Sequence, residues 1–156
     1  MQIKVGFGFD SHGLEKGEKI KLGGVEIESD LKLKGFSDGD LIMHALSDAI
    51  LGAISHKDIG ELFPDTDSSN KDRDSADFLK QVKELMLSKD YNLSNVDITV
   101  VLERPHLSPY KDRIRGNIAE ILELDNDLIS VKAKHPEEAF STNAAVCFVV
   151  VLLTKD

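Results

Sequence analysis

Apolar and polar residues alternate from the first residues of the chain. Ile3, Val5, Phe7 and Phe9 fall on one side of an extended backbone, and Lys4, Gly6, Gly8 and Asp10 fall on the other. The pattern predicts a strand with one apolar face and one small-residue face, with His12 continuing the second face if the strand runs on. Lys19-Ile20-Lys21-Leu22 and Val25-Glu26-Ile27-Glu28 flank Gly23-Gly24, the pattern of a hairpin. The period then changes. Ile42, Ala45, Leu46, Ala49, Ile50 and Ala53 recur at helical spacing and predict a helix over about 40–55, with Ser37 and Asp38 as capping residues. His44 and Asp48 lie away from that apolar stripe. A polar loop covers 56–74. A second helix over about 75–89, with Ser75 as its cap, carries Phe78, Leu79, Val82, Leu85 and Met86 inward.

Residues 96–103 read as a strand that ends before Pro105. Ser108-Pro109 then opens a third helix whose inner face is Ile114, Ile118, Ile121 and Leu122. Strands over about 128–134 and 144–153 close the chain, and the second, apolar on both faces, is expected at the centre of a sheet. The expected fold class is α/β (α+β). It is a single domain over 1–156, with a mixed four-stranded sheet, a small hairpin and helices packed on one face.

At 156 residues and 41% hydrophobic content the chain can build one core. Its net charge of -9 and the lack of a basic stripe exclude general affinity for nucleic acid or an anionic membrane surface. The run from Ala144 to Leu153 falls short of the roughly 20 apolar residues that span a bilayer. Cys147 has no second cysteine to pair with and sits in that run, as packing thiols do. The first strand pattern begins within a few residues of Met1, so no signal peptide is expected. A cytoplasmic location is expected, or an organelle matrix after removal of a transit peptide.

One carboxylate and two imidazoles carry the candidate chemistry. Asp10 and His12, at i and i+2 of one strand face, and His44, on the polar side of a helix, form a three-ligand set of the type that holds a catalytic zinc with one position open. Singly, a histidine is more often structural and an aspartate on a surface carries no message. Gly8 leaves room beside the strand, however, and Asp38-Gly39-Asp40 brings carboxylates just ahead of His44. Asp38 or Asp48 could orient the His44 ring, as carboxylates commonly do for metal-bound histidines. Mixed nitrogen and oxygen donors suit zinc better than magnesium. Asp58 and Asp65, by spacing alone, read equally well as loop solvation. His56, His106 and His135 have no local partner set.

Several motifs in order give these residues a context. They are Gly-Phe-Asp-Ser-His at 8–12, Ser-Asp-Gly-Asp at 37–40 followed by His44, Asp-Ile-Gly-Glu-Leu-Phe-Pro-Asp-Thr-Asp at 58–67, Asn95-Val96-Asp97, and Arg104-Pro105. Over nearly its whole length the chain resembles the 2-C-methyl-D-erythritol 2,4-cyclodiphosphate synthase family. The resemblance implies a homotrimer with active sites between neighbouring subunits. It places zinc on Asp10, His12 and His44, and a second divalent cation, Mg2+ or Mn2+, mainly on the substrate's diphosphate. Asp58, Ile59 and Gly60 match residues that hold the methylerythritol portion, and Phe63 and Asp65 lie against the same substrate. Leu102, Arg104, Pro105, His106 and Leu107 match the backbone segment that cradles cytosine. The implied partner is a small cytidine diphosphate compound. Its own phosphate closes a ring by attacking the β-phosphorus, with release of CMP.

The chain departs from the family pattern at two places, and the arginine that touches phosphate in many members, or lines the trimer's central channel, has no counterpart. Phe36 stands where the family has a histidine, beside Ser37, against the reacting diphosphate. Threonines that precede a glutamate in the family are absent from Lys134-His135-Pro136-Glu137, and the loop after it is shortened to 140–143. Glu137 keeps the substrate-side carboxylate, and Lys134 and His135 become the candidates for catalytic positive charge. The departures leave two readings. One is an active cyclase. The other is a catalytically impaired, zinc-bearing homologue that binds cytidine nucleotide or an isoprenoid diphosphate.

Overall fold

The computed structural model describes residues 1–156. In chain order it contains β1 (Gln2–Lys16), β2 (Lys19–Leu22), β3 (Val25–Glu28), β4 (Leu31–Leu33), α1 (Leu41–Ala53), α2 (Ile59–Leu62), α3 (Ser75–Leu87), β5 (Asn92–Val101), α4 (Lys111–Leu122), β6 (Ile129–Lys134) and β7 (Ala144–Lys155). One sheet runs β4-β1-β7-β5-β6, antiparallel except for the β5–β6 pair, and β2–β3 form a separate hairpin. The sheet therefore has five strands where the pattern predicts four. The extra strand exists because β1 does not stop near His12. It continues to Lys16, and Leu14, Glu15 and Lys16 pair with Leu33, Lys32 and Leu31. Three residues are too few to show a period, so β4 leaves no readable pattern.

As expected, β7 is central, between β1 and β5. The helices pack on one face, and α1 is the element on which that packing turns. Of its thirteen residues only His44, Asp48 and Gly52 are not buried. α1 lies on the small-residue face of β1 at backbone contact. A Cβ at Gly6 would come within 1.9 Å of the Ala49 carbonyl oxygen, and one at Gly8 within 1.8 Å of the Ala45 carbonyl oxygen. Two strand residues advance about 6.7 Å and four helix residues about 6 Å, so the two spacings stay in step. Gly6 and Gly8 thus meet Ala49 and Ala45 in turn, and Asp10, next on the same strand face, arrives beside His44.

The cap of α1 is Asp40, whose side chain accepts from the Met43 N–H, and not Ser37 or Asp38. The same carboxylate accepts from the Gly23 and Gly24 N–H groups at 2.9 and 2.7 Å, which ties the hairpin turn to the start of the helix. Burial pushes its pKa up to about 6 against those three donors, with the charge on Asp38 adding to the rise. α3 is likewise capped one residue earlier than the pattern suggests, by Asp74. No helix is long and apolar enough to cross a membrane.

The other face of the sheet is bare. Ile3, Val5, Phe7 and Phe9 are 49–64% exposed, and Val150 and Phe140 extend the same apolar surface. Phe7, Phe9 and Phe140 gather around Phe148 with ring centroids 5.5 to 6.4 Å apart. The alternation along β1 is correct, but the covered side is the glycine side.

The β1–α1 contact gives a direct test. Gly8→Ala forces apart two backbones already in contact and is expected to cost about 3 kcal/mol, read as a lower urea midpoint for the metal-free protein. An unchanged midpoint would mean that strand and helix do not lie this close.

Candidate metal centre

Asp10 and His12 project from β1 toward α1, and His44 projects from α1 toward them. One ligand atom from each lies within 4.8 Å of the other two. His12 Nε2 is 2.7 Å from Asp10 Oδ2, and His44 Nδ1 is 3.3 Å from the same oxygen. All three side chains are partly buried.

The outer atoms of the two rings are held. His12 Nδ1 lies 2.5 Å from the Lys34 carbonyl oxygen and can only donate to it, which leaves Nε2 as the inward atom. His44 Nε2 lies 2.8 Å from Ser75 Oγ and 3.1 Å from Ser37 Oγ. The Ser75 hydroxyl donates its proton to Asp38 Oδ1, so its oxygen accepts from His44 Nε2–H. A proton on either inward nitrogen would donate to the Asp10 oxygen; without one, His12 Nε2 and His44 Nδ1 turn lone pairs toward it. Three acceptors converging on one point repel one another unless a cation or protons lie among them, so the donor set fits a divalent ion of the zinc type.

The titration of these groups follows the same geometry. Burial would raise the Asp10 pKa, but the hydrogen bonds and charges of His12 and His44 outweigh it and hold the carboxyl below its ordinary value. Burial would lower His12, and Asp10 outweighs that to raise it. Asp38, desolvated as well, is kept low by the Ser75 hydroxyl and N–H, by the Asp40 N–H and by Lys21 at 3.1 Å.

The triad opens into a cavity of about 230 Å³ whose walls include Phe36, Ser37, Ile59, Gly60, Phe63 and Asp65, with Asn70 and Phe78 beside them. Phe63 stacks on Phe78 at 4.4 Å, and Phe78 is 6.2 Å from the His44 ring.

The model of the YgbB family matches residues 3–154. The chain belongs to the YgbB family. Among curated relatives, the 2-C-methyl-D-erythritol 2,4-cyclodiphosphate synthase of Aquifex aeolicus is 46% identical over 155 residues, covering 99% of both chains. That of Fusobacterium nucleatum is 45% identical over 156 residues, covering 98% of both. Among solved structures, a 2C-methyl-D-erythritol-2,4-cyclodiphosphate synthase in its CDP-bound form superposes with a TM-score of 0.91 at 34% identity, over 97% of this chain and all of that one. This YgbB-family chain is thus a homologue of enzymes that form a cyclic diphosphate.

Within the family frame, the remaining candidate residues fall into two groups. Asp58 directly precedes the cavity-lining Ile59 and Gly60 and caps α2 in a reciprocal box with Glu61. One carboxylate oxygen accepts the Glu61 N–H at 2.8 Å, and the other has no protein partner. Asp48 does not touch His44. It accepts the Ile59 N–H at 2.7 Å and so fastens the 58–60 segment to α1, with burial, and then the charges of Asp58 and Asp10, raising its pKa. Of the two carboxylates considered for His44, Asp38 is the one in line, acting through Ser75.

The second group lies away from the cavity within one chain. Lys134 shares a cross-strand row with Ser11, through Val101 and Val146. The two are three strand spacings apart, roughly 14 Å, and on the face opposite Asp10 and His12. His135 and Glu137 are exposed beyond the end of β6, and the His135 Nδ1 accepts the Glu137 N–H at 3.2 Å. Leu102 and Leu107 are buried, His106 is exposed, and Arg104, which precedes a cis Pro105, pairs with Asp30 through two hydrogen bonds of 3.1 and 3.2 Å.

Ser75, Asn70 and Phe78 were not legible as site residues. Ser75 reads as a helix cap and Phe78 as core, and both are used as such in countless helices. Ser75→Ala breaks the His44–Ser75–Asp38 relay while leaving all three ligands in place. It is expected to weaken zinc binding about 10- to 100-fold, measured by competition with a chromophoric chelator, with little change in the unfolding midpoint of the metal-free protein. Unaltered zinc affinity would show that the relay does not orient the ring.

Proposed function

We propose that this chain cyclises 4-diphosphocytidyl-2-C-methyl-D-erythritol 2-phosphate to 2-C-methyl-D-erythritol 2,4-cyclodiphosphate with release of CMP, as a cyclising phosphorus–oxygen lyase of isoprenoid precursor synthesis. The observation that carries this reading is the convergence of Asp10, His12 and His44 in the lining of a cavity shared with Ile59, Gly60, Phe63 and Asp65. Family membership and the full-length similarity to named synthases support it.

The substrate carries its own nucleophile. Its 2-phosphate is ionised at neutral pH and attacks the β-phosphorus, and the bond from that phosphorus to the bridging oxygen breaks, so that CMP leaves with the oxygen. No side chain has to remove a proton. The work left to the protein is to fold the substrate so that the phosphate oxygen and the β-phosphorus meet, and to offset charge on the phosphoryl oxygens. Asp10, His12 and His44 would hold a zinc ion, which supplies Lewis-acid polarisation of a phosphoryl oxygen when bound. A second cation, Mg2+ or Mn2+, would be held mainly by the diphosphate itself. The free oxygen of Asp58 is placed to accept hydroxyl groups of the methylerythritol portion, and α2, fastened by Asp48, fixes that carboxylate.

A homotrimer belongs to the same proposal. The cytosine-cradling candidates at 102–107 do not line this cavity, so a site that uses both would have to draw on more than one chain. The exposed apolar sheet face, with Phe7, Phe9 and Phe148 at its centre, is the surface for copies to bury against one another. Lys134 and His135, on or beyond the edge of that face, would then serve a neighbouring copy's site.

Purified protein with zinc, magnesium and the cytidylylated phospho-substrate is expected to release CMP. His12→Ala should lower the rate about 100- to 1000-fold, and light scattering should give three times the chain mass. Binding of CMP without turnover would favour instead the impaired homologue, a reading to which Phe36 in the cavity wall lends weight because it cannot donate a hydrogen bond.

A further inference from the structure

A cavity that takes a diphosphate needs fixed positive charge near the phosphoryl oxygens, and none of the side chains lining this one is a lysine or arginine. Phe36, Phe63 and Phe78 make its wall aromatic instead. The guanidinium of Arg73 rests against the same rings. Its central carbon is 4.9 Å from the Phe78 ring centroid and 5.7 Å from that of Phe63. The backbone holds it there. The Asp72 N–H donates to the Phe36 carbonyl oxygen at 3.1 Å, and the Asp38 N–H donates to the Arg73 carbonyl oxygen at 3.3 Å, so the 36–38 and 72–73 segments run side by side. Arg73 is half-buried and forms no salt bridge, its charge reaching Asp67 only at longer range. Arg104 and Arg115 pair with Asp30 and Asp112, whereas the one hydrogen bond from the Arg73 side chain is a 3.4 Å contact to the neutral Asn70 Oδ1.

A guanidinium held over aromatic rings still has N–H groups to donate, and its planar fork matches two phosphoryl oxygens. We propose that Arg73 is a substrate-binding residue, whose guanidinium slides on the Phe63–Phe78 wall to bind the β-phosphate of the cytidine diphosphate moiety. The inference rests on the proposed cyclase function. It supplies the fixed cation that the cavity walls lack, and it assigns the aromatic pair a role as the platform that keeps the guanidinium extended.

The test compares CDP with CMP, which lacks the β-phosphate. Zinc-loaded wild-type protein, Arg73→Met and Arg73→Lys are titrated with each nucleotide by calorimetry, alongside steady-state CMP release. Methionine covers the rings without charge, so a purely structural role would move both nucleotides together. Arg73→Met should lose CDP affinity about 10- to 100-fold while CMP affinity stays within about twofold, and Arg73→Lys should recover part of the loss. Equal CDP affinity in wild type and Arg73→Met, or a parallel loss of CMP affinity, overturns the role of Arg73. If the wild type releases CMP in the same experiment, the cyclase function stands without it. A wild type that neither turns over nor binds CDP removes both.

Discussion

The structure depends on the backbone contact between β1 and α1. With glycine at positions 6 and 8 the helix can settle onto the strand until the carbonyl oxygens of Ala45 and Ala49 occupy the space of the missing Cβ atoms. Any larger residue would lift α1 away and carry His44 out of reach of Asp10 and His12. The contact is also what buries nearly the whole of α1, so the packing that stabilises the domain and the geometry that assembles the metal ligands are one arrangement. Overpacking at these two positions would damage both at once.

Around that contact, a small set of carboxylates acts as fasteners. Asp40 joins the β2–β3 turn to the start of α1, Asp48 joins α1 to α2, and Asp38 gathers Ser75, Lys21 and the Asp40 N–H. Each is desolvated, and each is offset by specific donors rather than by solvent. The acidic excess of the sequence is thus not all solvated surface. Part of it lies in the wall that positions Asp10, His12 and His44.

The sequence was legible wherever a period or a motif had enough residues to repeat. β1, the hairpin, α1, α3, α4, β5 and β7 all follow from spacing, and the Asp10, His12 and His44 set follows from strand and helix phase. The four-residue α2 has no period, yet Asp58 and Glu61 spell a capping box that could have revealed it. β4 offered no such signal. Alternation along β1 showed two faces but not which one α1 covers, because an exposed apolar face looks the same in sequence as one turned inward. Ser75 and Arg73 were out of reach for a different reason. Their roles come from α3 beginning where it does, beside 36–38, and that placement is set by tertiary packing.

If the proposed function holds, Asp10, His12 and His44 jointly hold one cation with a position to spare. Anomalous diffraction recorded on either side of the zinc absorption edge, from crystals grown with zinc, measures this most directly. A single peak per chain is expected about 2.0 to 2.2 Å from Asp10 Oδ2, His12 Nε2 and His44 Nδ1, with the fourth ligand drawn from solvent or a bound phosphate. No peak among these atoms, or one completed by a fourth protein side chain, would contradict it.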